Sequence, residues 1–261
     1  MGSYPRSYGY RFNWGGLLTP AIKTLLIANT AVFLVQVLVH LFVGPEATAR
    51  LNRTFGLVPY RVALHFWLWQ PFTYLFLHDV HSVWHLLFNM LFLWMFGRDL
   101  EHAWGRSRFY TYYFVAGVGA GCINVLMKMI LNFAGAARSD IPTIGASGAI
   151  YGILLANAVL FPDRQIWLIP FPVTIPMRVY VVGAAAIQFF GTLGAGGDNV
   201  SHVTHLGGML VGYLYLRRGS FFYDLRNHYS DWKRRRLRRK FKVYMREHKD
   251  KPPSRPSQWV N

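Results

Sequence analysis

Six strongly apolar stretches alternate with short polar connections along this chain. They run over Ile22–Val43, Trp84–Phe96, Phe109–Phe133, Ser147–Phe161, Val179–Leu193 and His202–Leu216, and the second extends backward through His78–Val83. A hydrocarbon core of about 30 Å is crossed by about 20 helical residues, somewhat fewer where neighbouring helices shelter the span. The pattern therefore predicts an all-α membrane protein built as a bundle of six transmembrane helices. Between the first two stretches, Ala63–Leu77 (ALHFWLWQPFTYLFL) is equally apolar but carries Gln70 and Pro71 at its centre. It predicts a loop partly sunk in the bilayer, with Trp67 and Trp69 at the interface. Non-helical backbone survives at that depth only when buried in protein or lining a wet cavity. Met1–Pro20 is aromatic and glycine-rich and lacks the basic, apolar, small-residue order of a cleaved signal peptide. There is no internal repeat and no second soluble domain.

Composition sharpens this picture. Of the 261 residues, 53% are hydrophobic and only 15% charged, whereas soluble domains carry about 25% charged residues. The single cysteine, Cys122, excludes a disulfide scaffold. The chain carries a formal charge of +17, and 15 of its 28 Lys and Arg residues fall in 217–261 beside four acids. With both termini on the cytoplasmic side, that side collects 23 basic residues and the opposite side five (Arg50, Arg53, Arg61, Lys128 and Arg138). Cytoplasmic loops carry the positive excess, so this orientation is the expected one. The run Lys233–Lys240 reads as an anchor against anionic lipid. No nucleic-acid partner is expected, because the basic residues lack a folded soluble face. The expected organisation is a cytoplasmic segment over 1–18, a transmembrane domain over 19–218 and a basic, partly disordered cytoplasmic tail over 219–261.

Polar groups inside a membrane are functional hypotheses, since leaving them unpaired in hydrocarbon is costly. Three clusters qualify. In Ile144-Gly145-Ala146-Ser147-Gly148-Ala149-Ile150-Tyr151-Gly152, small residues flank a serine at the start of the fourth span. Unpaired N–H groups and the positive end of the helix converge there, a field suited to an anionic tetrahedral intermediate. The plain alternative is a serine N-cap beside packing glycines. In Ser201-His202-Val203-Thr204-His205-Leu206-Gly207-Gly208, His205 shares a helix face with Gly208 and Gly212, which permit close helix contact. A histidine aimed into that contact is placed to act as a general base; a histidine satisfied by a backbone carbonyl is the alternative. His202 and His205 lack a third ligand of suitable spacing, so no metal or other cofactor is expected. In the stretch from His78 to Asn89, His85 and Asn89 lie four residues apart on one face and both can donate to a developing oxyanion, or else clamp two helices together.

Heights counted at ~1.5 Å per residue from the cytoplasmic ends join these clusters. Ser147 stands about 21 Å above Phe161, His205 about 16 Å above Leu216, and His85 and Asn89 about 20 and 14 Å above Arg98. Four polar groups from three spans thus share one layer, which favours a site over unrelated packing roles.

The sequences GASGAIYG, HLLFN and SHVTHLGGMLVG, in this order and on these spans, resemble the rhomboid intramembrane serine proteases. The stretch Leu68-Trp69-Gln70-Pro71 and Glu101-His102-Ala103-Trp104-Gly105 fit as well. The resemblance runs from about Thr19 to Arg218. It implies Ser147 as nucleophile, His205 as its base, and His85, Asn89 and the Ser147 N–H as oxyanion hole. Tyr151 would stack on His205 and orient it, with Gly145, Gly148, Gly208 and Gly212 supporting the close approach. With no intramembrane carboxylate near His205, the expectation is a dyad in which Tyr151 and packing do the orienting. Substrates would be single-pass or polytopic membrane proteins, cut near the outer side of a bacterial plasma membrane and admitted laterally past the fifth span and its loop Gly194–Val200. Locking the fifth span to the second by an engineered disulfide, for instance through Cys substitutions at Phe189 and Trp84, is expected to slow cleavage of membrane-embedded substrates. The chain has Trp69-Gln70 where many members have Trp-Arg, and its His78-to-His85 spacing is two residues longer than usual. The alternative is a non-catalytic rhomboid-like chaperone that binds membrane segments, although such relatives typically lose the serine or the histidine and both are present here.

Overall fold

The first apolar stretch folds as α1 (Pro20–Phe42), with Pro20 opening the helix where its missing N–H costs nothing. Its buried residues Ile22, Leu25, Asn29, Phe33 and Gln36 recur every three or four positions and form one inward stripe. This is a computed structural model of the chain, and it describes residues 18–135, 141–167, 173–193 and 202–218. Most of the segment expected over 1–18, the tail 219–261 and the loop Gly194–Val200 lie outside the described residues. By contacts the chain divides into two units, Met1–Tyr215 and Leu216–Asn261. Ser147, His205, His85 and Asn89 all lie in the first unit.

After α1 come α2 (Pro45–Phe55), α3 (Pro59–His65) and α4 (Gln70–Thr73), the last continuing as a 3-10 turn over Tyr74–Phe76. The long helices come next as α5 (Val83–Trp104), α6 (Arg106–Phe133), α7 (Ser147–Leu160), α8 (Met177–Leu193) and α9 (residues 202–218). One two-stranded ribbon interrupts an otherwise helical fold: β1 (Gln165–Trp167) pairs antiparallel with β2 (Thr174–Pro176), Ile166 opposite Ile175.

Two expectations need correction. Ala63–Leu77 is largely helical rather than an irregular loop, because Pro71 falls in the first turn of α4, where proline is tolerated. Gln70, fully buried, ties this segment down: its Oε1 accepts the Val58 N–H at 2.9 Å, and its Nε2 donates to the carbonyls of Arg53 and Thr54 at 3.0 and 3.2 Å. The Trp69 indole donates to Thr54 as well. An amide thus anchors this segment.

The second span is also longer than its apolar core. The α5 helix continues past Phe96 because its charged end is used: Glu101 accepts the Ala21 and Ile22 N–H groups at 2.8 and 3.1 Å, and the Thr19 hydroxyl. A carboxylate 80 residues away thereby caps α1, where the helix dipole favours negative charge. Asp99 pairs with Arg164. Gly105, at φ +80°, makes the sharp turn from α5 into α6.

Helix α6 lies at the centre. Its small residues let neighbours approach closely: a Cβ at Gly117 would crowd Leu75 and Ala149, one at Gly119 would crowd Val211, and one at Gly121 would touch Tyr74. Interhelical hydrogen bonds add specificity, from Tyr112 Oη to Gly152 O at 2.7 Å, Asn124 Nδ2 to Thr204 Oγ1 at 2.7 Å and Asn157 Nδ2 to Phe96 O at 3.0 Å.

Candidate active site

The chain leading to Ser147 is held from below. Leu57 and Thr143 exchange both backbone hydrogen bonds at 2.9 Å, and the Gly145 N–H donates to Tyr74 O at 2.9 Å. The Tyr74 hydroxyl in turn donates to Gly117 O on α6 at 2.7 Å. Gly145 sits at φ +122°, a conformation that L side chains rarely adopt. That turn delivers Ser147 as the first residue of α7, with Ala146 in the N-cap position and no side-chain capping bond. The serine hydroxyl is therefore not consumed as a cap, contrary to the plain alternative. The first intrahelical donor is Ile150, bonded to Ala146 O, so the amides of Ser147, Gly148 and Ala149 are the first-turn N–H groups without intrahelical acceptors.

Helix α9 brings His205 to this point. Its Nε2 lies 2.7 Å from Ser147 Oγ. The approach depends on glycine: a Cβ at Gly208 would collide with the Gly148 carbonyl, and one at Gly212 with the Tyr112 hydroxyl. Gly152 faces the same contact, its position 3.1 Å from Gly208 O for a Cβ built there. The α7 and α9 backbones thus touch, as the small-residue face predicts. Tyr151 stacks on the His205 ring with centroids 4.2 Å apart and planes within 13°.

His85 and Asn89 come in from α5. The Nε2 of His85 would lie 2.8 Å from a Cβ at Gly145, against the residue that precedes the serine by two. Its other ring nitrogen, Nδ1, accepts the Asp79 N–H at 3.3 Å. In the neutral ring this leaves the proton on Nε2, the nitrogen turned toward the serine. Asn89 is buried and spends one amide hydrogen on His85 O at 2.7 Å, keeping a second. Ser147, His85, Asn89 and Tyr151 together line a cavity of about 200 Å³, whose other walls include Phe92, Leu154, Tyr180 and Ala184.

One residue was missed. Gln188 of α8 is buried, and its Oε1 lies 2.8 Å from His205 Nδ1 and 2.6 Å from His202 Nδ1, while its Nε2 donates to the Tyr151 hydroxyl at 2.7 Å. The expectation that Tyr151 and packing alone orient His205 is therefore incomplete. A signal existed: Gln188 is the one amide or charged side chain within the apolar run Val179–Leu193. Phe189 lines the groove between α6 and α9, and α8 meets the α5 side of the cavity through Tyr180 and Ala184.

Comparison with known proteins places this chain in a class. The Rhomboid domain matches residues 65–219, more than half of the chain, and the chain belongs to the rhomboid family. Among its relatives is rhomboid protease AarA of Providencia stuartii, 28% identical over 220 residues that cover 78% of this chain and 73% of the relative. Rhomboid protein 1, mitochondrial, of Saccharomyces cerevisiae is 33% identical over 132 residues, covering 51% of this chain and 37% of the yeast protein. Presenilin-associated rhomboid-like protein, mitochondrial, of Homo sapiens is 31% identical over 142 residues, covering 53% and 35%. The matched region spans little more than a third of either mitochondrial relative.

Proposed function

We propose that this chain is an intramembrane serine endopeptidase that cuts transmembrane helices of other membrane proteins near the outer face of the membrane. The observation that carries the reading is the 2.7 Å contact between Ser147 Oγ and His205 Nε2. It joins a helix-start serine to a histidine in a layer that also holds two oxyanion donors. Ser147 Oγ attacks the scissile carbonyl carbon as its proton passes to His205 Nε2. The carbonyl oxygen becomes an oxyanion held by the His85 Nε2–H, the free Asn89 N–H and the Ser147 backbone N–H. His205 then gives its proton to the leaving amine, and water activated by the same nitrogen hydrolyses the acyl-enzyme. An intact serine–histidine pair favours this over the non-catalytic chaperone.

The membrane setting is the second part of the proposal. Among the described residues, Pro20–Phe42 and Arg106–Phe133 are long and apolar enough to cross a bilayer, and Ser147–Leu160 and Met177–Leu193 are shorter apolar helices. We read α1, α5, α6, α7, α8 and α9 as six spans. The outward faces support this: Leu41 and Phe42 on α1, Phe133 on α6 and Val182, Phe190 and Leu193 on α8 are all more than two-thirds exposed. Such a belt is far too apolar to face water. Both termini lie in the cytoplasm of a bacterial cell, the transmembrane domain spans 19–218, and the 219–261 tail rests against anionic lipid. Substrate helices enter past α8 and unwind at their upper ends, where small or helix-breaking residues lower the cost.

The test is labelling by a fluorophosphonate together with cleavage of a transmembrane-helix substrate in proteoliposomes. Wild type should label and cut, and Ser147→Ala should do neither while melting like wild type. Labelling that persists in Ser147→Ala would overturn the assignment.

A further inference from the structure

Four polar side chains, Gln188, Tyr151, His202 and His205, meet where α8 crosses α7 and α9, and of these only His205 takes part in the chemistry above. Helix α8 turns Met177, Val181 and Gln188 inward, positions four and seven apart that fall on one face. Gln188 is the polar member and reaches three partners at once. Gly191, one turn further along, leaves the room that His202 needs: a Cβ there would lie 2.6 Å from the His202 ring. The pair Gln188 and Gly191 on α8 is thus the receptor for the pair His202 and His205 on α9.

The hydrogen-bond inventory decides what this receptor does. A neutral histidine carries its proton on either ring nitrogen, and only the ring with a bare Nε2 can accept the Ser147 proton. An amide oxygen is an acceptor only, with two lone pairs. The Gln188 Oε1 faces two Nδ1 atoms, at 2.8 Å in His205 and 2.6 Å in His202. Both bonds form only when each Nδ1 carries the proton. The third contact of the amide runs through its Nε2, which donates to the Tyr151 hydroxyl at 2.7 Å and leaves Oε1 turned to the two rings. Turned over, the amide would donate into both rings and drive the His205 proton to Nε2, where it blocks the serine.

We propose, on the basis of the protease reading above, that Gln188 is a positioning residue: its carbonyl holds the His205 proton on Nδ1 and so keeps Nε2 free as the base for Ser147. It occupies the place of the orienting carboxylate in a serine–histidine–carboxylate triad. Being uncharged, it avoids placing a naked carboxylate in a low-dielectric layer. It also makes the base depend on the docking of α8, the helix past which substrate enters.

Two substitutions test this in the full-length protein in proteoliposomes. Gln188→Leu keeps the volume and removes the acceptor; Gln188→Glu keeps an acceptor oxygen. For Gln188→Leu, kcat should fall about ten- to hundred-fold with KM changed less than about two-fold, as expected when one buried hydrogen bond selecting between two tautomers is lost. Gln188→Glu should recover turnover to within a few-fold of wild type. Ring-15N-labelled histidine spectra, assigned with a His205→Asn control, should show an unprotonated Nε2 at His205 in wild type and Gln188→Glu, and a shift toward protonated Nε2 in Gln188→Leu. Wild-type kcat or an unchanged His205 tautomer in Gln188→Leu would overturn the proposal, as would a folded Gln188→Glu no better than Gln188→Leu. An inactive wild type would refute the protease reading alone, and the spectra would still decide the tautomer.

Discussion

Gly208→Ala is the sharpest perturbation of this architecture, because it adds one methyl group to the point where the nucleophile and base helices touch. The new Cβ would fall on the Gly148 carbonyl, one residue from Ser147. That neighbour is backbone in the first turn of α7, and Ala120, Tyr74 and Thr204 stand so near that a Cβ on Gly148 would itself meet them. No side chain can rotate away. Relief requires α7 and α9 to separate by an amount on the order of 1 Å, since packed interiors lack free space to absorb the methyl. Overpacking of this kind costs about 1–3 kcal/mol. The functional consequence is larger. The Ser147–His205 contact is 2.7 Å, and opening it by about 1 Å takes it beyond hydrogen-bond range. A misplacement of that size costs about 10²-fold in rate. Gly208→Ala should therefore remain folded, with a modest fall in Tm, and lose about 10²-fold in fluorophosphonate labelling rate and substrate turnover. Gly183→Ala on α8 is the control: a Cβ there meets nothing within 4 Å, so the change should be neutral or stabilise by up to about 1 kcal/mol. Wild-type labelling and Tm in Gly208→Ala would refute the claim that glycine at this crossing sets the geometry of the pair.

Two other substitutions probe the remaining contacts. Asn89→Ala removes a buried donor from the cavity beside Ser147 and should lower kcat about 10²–10³-fold with little change in KM; unchanged turnover at unchanged Tm would make Asn89 a packing group. Gln70→Leu strips the acceptor of the Val58 N–H and the donor to Arg53 and Thr54. It should destabilise by about 1–3 kcal/mol per buried group left unsatisfied, visible as a lower Tm and as faster proteolysis of the segment around Leu68.

The sequence determined the parts that depend on composition and period. Apolar runs with small polar interruptions set the long helices within a few residues, the cytoplasmic end of α5 apart, because burying or sheltering such runs leaves the helix as the way to satisfy their backbone. The arithmetic of rise per residue put Ser147, His205, His85 and Asn89 at one height, because every helix advances alike. Tertiary structure decided what depends on which faces meet. Helix α5 ends at Trp104 rather than Phe96, since Glu101 caps a helix 80 residues away and Asp99 pairs with Arg164. The apolar segment around Gln70 is helical, since the glutamine finds its partners in Arg53, Thr54 and Val58. Gln188 stood in plain view within an apolar helix, but a period names a face without naming what lies opposite. Only the crossing of α8 with α7 and α9 sets one amide oxygen between two histidines, and with it the position of the proton on the base.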